Sequence, residues 1–255
     1  MTTTTGPLSG FRIIDLTRMA PGPFCTMMFG DMGADVIRIE PPPSSRISNK
    51  GALPQKEEAR NITWNPLTRN KRSINMDLKE DKAREVFFHL CKNADVLVEG
   101  FRPGVVKRLG CDYETVRTVN DKIIYCSISG YGQTGPYKDL VGHDINYISI
   151  GGALGMIGSS DGTPTIPYNI IADFAAGGMH AAFSIVSALL HRERTGIGQS
   201  IDIAMSDGVA YLLAAAAGEH LRSGLVPTPG EMTLNGGVPF YNVFRGLDGK
   251  FISIG

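Results

Sequence analysis

Net charge is the first thing this sequence lacks. Its 25 Lys and Arg balance 25 Asp and Glu over 255 residues, so the formal charge is zero. A neutral chain has no broad field with which to hold nucleic acid or an anionic membrane, and neither is expected as a partner; a local basic pocket stays open to it. Long apolar runs are missing too. The strongest, around Val209 to Ala217, falls short of the ~20 residues that a bilayer span requires. Met1 to Pro7 has no basic stretch followed by an apolar one, so it does not read as a secretory signal. Residues 1–10 read as a frayed leader. The expectation is an intracellular protein, cytoplasmic in a bacterium and mitochondrial or peroxisomal in a eukaryote. Cys25, Cys91, Cys111 and Cys126 form no C-x-x-C, and three of them sit in apolar segments. Buried free thiols are expected, without disulfides or a metal site. His89, His180, His191 and His220 fall within predicted helices, and no pair has metal-ligand spacing. G-x-x-x-x-G-K-S/T, H-E-x-x-H and G-x-S-x-G are absent, which removes the commonest nucleotide, zinc and serine-hydrolase readings.

What is present describes a globular chain, 42% hydrophobic and 20% charged. Phe11 to Leu16 is a short β-branched run, hence a buried strand. Pro21-Gly22-Pro23 breaks it, and Phe24 to Met32 follows as a helix that stops at Gly33. Ala34 to Glu40 is the next strand. Strand, helix and strand in so short a span make a βαβ unit with parallel pairing. It is not the dinucleotide type, because no G-x-G-x-x-G follows the first strand. Pro41 to Asn65 reads as a long surface excursion.

Strands are predicted again at Ser73 to Leu78, Asp95 to Glu99 and Lys122 to Ser129. Helices are predicted over Glu80 to Asn93, Val105 to Leu109 and Tyr113 to Val119. A long helix over Phe174 to Arg194 presents Met179, Phe183, Val186 and Leu190 on one face. A strand at Gln199 to Ala204 and an Ala-rich helix over Asp207 to Leu221 come next. Asp248-Gly249 marks a hairpin between Phe240–Phe244 and Phe251–Ile254. The alternation predicts an α/β fold: an open, mostly parallel sheet with flanking helices, Rossmann-like in plan. Residues 11–230 form the large domain and 231–255 a hairpin leading out of it. The chain stops at that hairpin, which suggests a fragment.

Two places carry candidate chemistry. His143 follows a loop rich in Gly and Pro, Gly130 to Pro136, that succeeds a strand; ligands in open parallel sheets sit beyond strand carboxyl ends. An imidazole with an ordinary pKa near ~6.5 suits a general base, and Asp144 and Asn146 stand beside it. A histidine held in an ordinary hydrogen bond is the alternative. Asp173 comes one residue before a predicted helix, where an N-cap is the plain reading. A carboxylate held ionised by the helix dipole is also suited to accept a proton or attack a carbonyl. Arg38, Lys71, Arg72, Lys79, Arg102 and Arg108 lie near predicted strand ends. They could gather on one rim to bind phosphates, with Phe101 stacking on an adenine. Taken singly, each is as well explained as solvated surface or core.

The ordered series of motifs changes the weighting. The carriers include Pro7 to Gly10, Ala20 to Pro23, Asp31 to Ile37, Asn70 to Ser73, Arg102 to Val105, Gly130 to Pro136 and Gly142-His143-Asp144-Ile145-Asn146-Tyr147. They continue through Ala172-Asp173-Phe174, Arg194 to Gln199 and Leu234 to Tyr241. In these the chain resembles the family III CoA-transferases from about Gly6 to Gly255. The Gly142 to Tyr147 run is similar to the α-methylacyl-CoA racemase branch.

The resemblance implies that His143 and Asp173 flank the α-carbon of a 2-methylacyl-CoA. One removes the α-proton to give a thioester enolate, and the other reprotonates the opposite face. Backbone N–H groups of the glycine-rich loop and a helix start would stabilise the enolate oxygen. CoA enters as part of the substrate, with no metal or other cofactor. Its binding falls on Met76, Asp77, Leu78 and Lys79, on Gly142, Asp144, Ile145, Asn146 and Tyr147, and on the basic rim. In the transferases the aspartate matching Asp173 is a nucleophile that forms an anhydride with the acid.

The chain departs from the family at Glu40-Pro41, where racemases carry an arginine after the second strand. It also ends before a family Glu-Pro pair whose glutamate orients the histidine, and it lacks the small C-terminal domain. The family forms interlocked homodimers. The resemblance therefore implies weak turnover or none by the chain as it stands unless the missing part is supplied, and a CoA-binding product without chemistry is the third reading.

Overall fold

Apolar residues at alternate positions of successive strands set the architecture. The computed structural model describes residues 5–42 and 65–255. Six strands form one sheet: β1 Arg12–Asp15, β2 Asp35–Glu40, β3 Lys71–Asn75, β4 Val96–Glu99, β5 Ile124–Ser129 and β6 Gln199–Ala204. Their order is β3-β2-β1-β4-β5-β6, and every neighbouring pair is parallel. This is the doubly wound order that the strand–helix alternation predicts. Its switch point lies between β1 and β4, where the connections diverge and leave a crevice at the strand carboxyl ends. The excursion predicted over 41–65 falls almost wholly outside the described residues.

Each face of the sheet buries its own core. Ile13, Val36, Val96, Val98, Ile124, Cys126 and Ile203 pack against α1 Pro21–Asp31 and α6 His180–Thr195. Ile14, Ile37, Leu97 and Tyr125 face α2 Asp81–Lys92, α3 Val105–Leu109 and α4 Tyr113–Val116 through Phe87, Cys91, Leu109 and Val116. A fully buried Ile or Phe contributes roughly 1.5–3 kcal/mol, so these two layers hold the sheet. All four cysteines are free and buried, as expected, and burial pushes their thiols well above the ordinary range.

A third cluster gathers α5 Asp144–Ile150, a π-helix Ile170–Met179 and α7 Met205–Leu212 around Ile148, Ala176 and Val209. Past α8 Ala214–Ser223, strands β7 Asn242–Arg245 and β8 Phe251–Ile254 pair antiparallel as a separate hairpin around Asp248-Gly249.

Several expectations need correction. The leader is packed from Gly6 onward: Leu8 is buried and its N–H donates to Met32 O at 2.9 Å. Helix α5, directly after His143, has no long apolar period and was not expected. The helix predicted from Phe174 begins four residues earlier as a π-helix, in which His180 N–H reaches back five residues to Ala175 O. Its predicted apolar face is the outer one. Met179, Phe183, Val186 and Leu190 are exposed, while Ala181, Ala182, Ile185, Ala188 and Leu189 touch the sheet. Close approach selects the small residues. At Gly178 a Cβ would come within 2.7 Å of the Phe24 ring and 2.9 Å of Pro21 O, so α1 can lie this near only over glycine. The 26-residue stretch Ile170–Thr195, in which an 18-residue window has a mean hydropathy of 1.4, is long and apolar enough to cross a bilayer by length and composition, contrary to the reading of apolar runs. Here it lies against the sheet.

One core carboxylate is placed to make the fold pH-dependent. Glu99 ends β4 at the switch point and is 1% exposed. Its Oε2 accepts the Phe101 N–H at 2.7 Å, and the register sets Glu99, Ser127 and Asp202 side by side across β4, β5 and β6. Burial raises its carboxyl from 4.5 to about 7, against hydrogen bonds from Ser127 and Phe101 and with help from Asp202. The fold thus favours the neutral acid. That contribution is complete below 4.5 and is lost as pH rises through 7. Glu99→Gln should be more stable than the wild type at pH 8, by about 3 kcal/mol, and nearly equal to it at pH 4.5. Urea unfolding of both proteins at several pH values measures the difference in slope.

Candidate active site

The site is built where α5 meets the π-helix. The fold at this point depends on Tyr147, whose ring lies across two glycines of the preceding loop. A Cβ at Gly130 would sit 2.2 Å from that ring, so the loop closes over it only because Gly130 has no side chain. The Tyr147 hydroxyl donates to Gly142 O at 2.6 Å, and Tyr131 meets its ring edge-on at 5.1 Å. Burial, with the charges of Tyr131 and Asp173 adding, pushes the phenol up to about 12. It stays a neutral donor.

His143 caps α5 from outside. Its N–H donates to Asn146 Oδ1 at 3.0 Å, and its imidazole is exposed. Asp144, the first residue of α5, is 7% exposed. Its Oδ1 accepts the N–H of Ala172 at 2.9 Å and of Asp173 at 2.8 Å. One carboxylate thus joins the start of α5 to the first turn of the π-helix. Asp173 is half-buried, and its Oδ2 accepts from Asn169 Nδ2 at 2.9 Å. It is therefore not the N-cap that its place before Phe174 suggests, because the helix already runs through it. Burial raises its carboxyl above the ordinary range. The Asn169 hydrogen bond opposes that rise, Asp144 adds to it, and His143 lowers it. The His143 imidazole is hence near enough to act on the Asp173 carboxylate. Tyr168, just before the π-helix, has φ 59°, an unusual backbone for a bulky residue of a kind that clusters at functional sites.

The structure sorts the predicted cations. Lys71 does not reach any rim. Its side chain is 2% exposed, and its Nζ donates to Asp15 Oδ2 at 3.1 Å, Pro23 O at 2.9 Å and Thr26 Oγ1 at 2.7 Å. All three of its protons are used. Burial lowers the ammonium pKa, against the pull of Asp15. Arg72 points the other way and grips Asp35 with both ends of its fork. Arg38 pairs with Glu40 at 2.9 Å, and its Nε is buried with no hydrogen-bond partner among the described residues. Met76 and Leu78 are core side chains. Of that stretch Lys79 is exposed, while Asp77 is half-buried and accepts the Lys79 N–H through Oδ1 at 3.1 Å.

Arg102 and Arg108 are exposed, and the Arg102 charge lowers the Tyr147 pKa, which puts it beside the α5 start. Phe101 carries the guanidinium of Arg18 over its ring at 5.6 Å. Ile145 is exposed on α5, and Gly142 is held by Tyr147. The glycine-rich loop is less generous with donors than expected: Gly132 N–H goes to Ser129 Oγ at 3.0 Å and Gln133 N–H to Asp202 Oδ2 at 2.8 Å.

Sequence reasoning missed Arg18, Asn169 and Glu99. The i, i+4 spacing of Asn169 and Asp173 was a usable signal, since such pairs face each other on a helix. Arg18 and Glu99 gave none beyond their place at strand ends.

Comparison with known proteins supplies the kinship. The model of CoA-transferase family III matches residues 8–255. The chain belongs to this family. It is 40% identical over 248 residues to the alpha-methylacyl-CoA racemase of Homo sapiens, covering 97% of this chain and 61% of that one. It is 38% identical over 226 residues to a succinate–glutarate CoA-transferase of Agrobacterium fabrum, covering 87% and 56%. A crystal structure of a CAIB/BAIF family protein from Brucella suis superposes with a TM-score of 0.80 at 32% identity, covering 96% of this chain and 65% of that one. The chain thus spans about three fifths of the length of these relatives. Both racemases and transferases are among its kin.

The reassignment of Lys71 can be checked directly. Lys71→Met keeps the aliphatic stem but leaves Asp15 buried without its counter-charge. Chemical denaturation should show a loss of about 3–5 kcal/mol, the usual cost of breaking a buried pair from one side. Removal of a rim lysine would change stability by only about 0.5 kcal/mol or less.

Proposed function

We propose that this family III member inverts the α-carbon of a 2-methylacyl-CoA thioester by 1,1-proton transfer. The observation that carries the reading is the joint between α5 and the π-helix, tied through Asp144, which presents an exposed imidazole and a half-buried carboxylate of raised pKa. Asp173, made more basic than an ordinary carboxylate, is suited to take an α-proton. His143 is suited to return one from the other side, and the roles exchange for the opposite epimer. The first-turn amides of Asp144 and Ile145 have no acceptor within their own helix. They are the donors available to the enolate oxygen once the loop amides of Gly132 and Gln133 are discounted.

CoA enters as the substrate's own handle. Its phosphates would find Arg18, Arg102, Arg108 and Lys79, with Arg38 nearer the sheet. Lys71 and Arg72 take no part in this reading. A homodimer belongs to it as well: Met179 and the α6 residues Phe183, Val186 and Leu190 offer exposed apolar surface.

A second reading has a specific support, the transferase kin at 38% identity together with a carboxylate at Asp173 that one asparagine positions. There Asp173 attacks an acyl-CoA carbonyl, the thiolate leaves, and an acyl anhydride forms.

One experiment separates them. A 2-methylacyl-CoA is incubated with the protein in heavy water and deuterium at the α-carbon is followed. Exchange should be slow but above the solvent background, and Asp173→Ala and His143→Ala should each lower it about 10²–10⁴-fold. Exchange that survives both substitutions sinks the racemase reading. Hydroxylamine trapping of an acyl group on Asp173, unaffected by His143→Ala, would establish the transferase instead.

A further inference from the structure

Three features of the structure converge on Asp144. Its side chain is buried, although it is a carboxyl group standing next to a second one. Its Oδ1 accepts two adjacent backbone N–H groups, those of Ala172 and Asp173, from an element 28 residues away in sequence. Its Oδ2 is buried and has no hydrogen-bond partner among the described residues. The expectation from resemblance made Asp144 part of a CoA-binding stretch, but both of its engaged contacts are internal.

We infer that Asp144 is a positioning residue: its carboxylate pins the backbone of Asp173 in the first turn of the π-helix and places a second carboxylate beside that of Asp173. The inference rests on the reading of Asp173 as a proton acceptor only for its functional meaning; the tie itself is independent of the reaction. First turns leave N–H groups without acceptors. At the start of the π-helix the acceptor comes from α5 instead of from the local chain, so Asp173 cannot move without moving Asp144. His143 is bonded directly to Asp144, so the same tie holds the His143 backbone to that of Asp173.

The second part follows from charge. A like charge nearby disfavours ionisation, and Asp144 acts on Asp173 in that direction. The groups facing Asp173 are the Asp144 carboxylate and the His143 imidazole from α5, the Tyr147 phenol from the same helix, and the Asn169 amide from the segment before it. Of these, Asp144 is the carboxylate, and an uncharged isostere removes its contribution without removing the acceptor. The orphaned Oδ2 fits this reading. Both engaged bonds fall on Oδ1, so the carboxyl group is held by one oxygen while the other is left without a partner among the described residues.

The test uses the 255-residue chain with Asp144→Asn and Asp144→Ala, read by amide hydrogen exchange and by NMR titration of ¹³C-labelled aspartate carboxyls, with Asp173→Asn to assign the resonance. Asp144→Asn keeps an oxygen acceptor, so exchange at Ala172 and Asp173 should match the wild type while the Asp173 pKa falls. Asp144→Ala should speed exchange at those two amides about tenfold, the loss of one hydrogen bond, with Ile185 and Leu189 in α6 unchanged. Should Asp144→Ala fail to fold, the Asp144→Asn titration still decides. An unmoved Asp173 pKa in Asp144→Asn, or unaltered amides in a folded Asp144→Ala, overturns the inference. If the NMR results hold but no α-deuterium exchange is found in the wild type, the reaction reading fails and the positioning role stands.

Discussion

Much of this molecule hangs on one buried pair, the Asp15 carboxylate and the Lys71 ammonium. It lies at the carboxyl end of β1, beside the switch point. Asp15 accepts from Thr17 in the connection to α1 and from Thr26 on α1 itself, while Lys71 reaches across from β3 and also holds Pro23 O. The strand, the first turn of α1 and the far edge of the sheet are thereby locked to one another. The start of α1 in turn presses on the π-helix, with Phe24 edge-on to Phe174 at 4.7 Å. The position of Asp173 is thus inherited from an ion pair in a different part of the fold. Low dielectric makes such a pair costly to form and costlier to break, a property that favours rigidity over net stability.

Charge is then divided by location. Cations near the amino ends of the strands are bound internally: Arg12 and Arg72 to Asp35, Arg69 to Asp31, Arg192 to Asp95. At the carboxyl ends, Arg102 and Arg108 remain exposed and Arg18 lies over an aromatic ring. A chain with no net charge can in this way present a local positive rim on one side, which is all that a phosphate-bearing ligand requires.

The sequence was legible where burial is complete. Val96 to Glu99 and Ile124 to Ser129 are covered on both faces, so their continuous apolar runs could hardly be anything other than central strands. The ordered motifs also single out His143 and Asp173, which the structure places on two adjoining elements, the start of α5 and the π-helix. What sequence could not show was partnership across distance. The basic run at Arg69 to Arg72 looks like a ligand site until Asp15, Asp31 and Asp35 are seen to claim it. Large apolar residues usually mark a core, yet on α6 several lie outside: the inner face carries Ala181, Ala182, Ile185, Ala188 and Leu189, and α1 makes its tight approach over Gly177 and Gly178 of the π-helix. The π-helix has no compositional signature, so the start of that helix was placed too late.

That π-helix has a consequence beyond the shape of the crevice. A π-turn takes up more residues than an α-turn over the same arc, so the segment between Asn169 and His180 stores chain length. Removing a single residue there would let the segment relax to ordinary α geometry, and every side chain upstream would rotate by roughly 100° about the axis. Asp173 would then face a different neighbour although its identity had not changed. In this stretch the count of residues, more than their kind, determines what the carboxylate can reach. An aligned relative that differs by one deletion here is a different device, even where its motifs read the same.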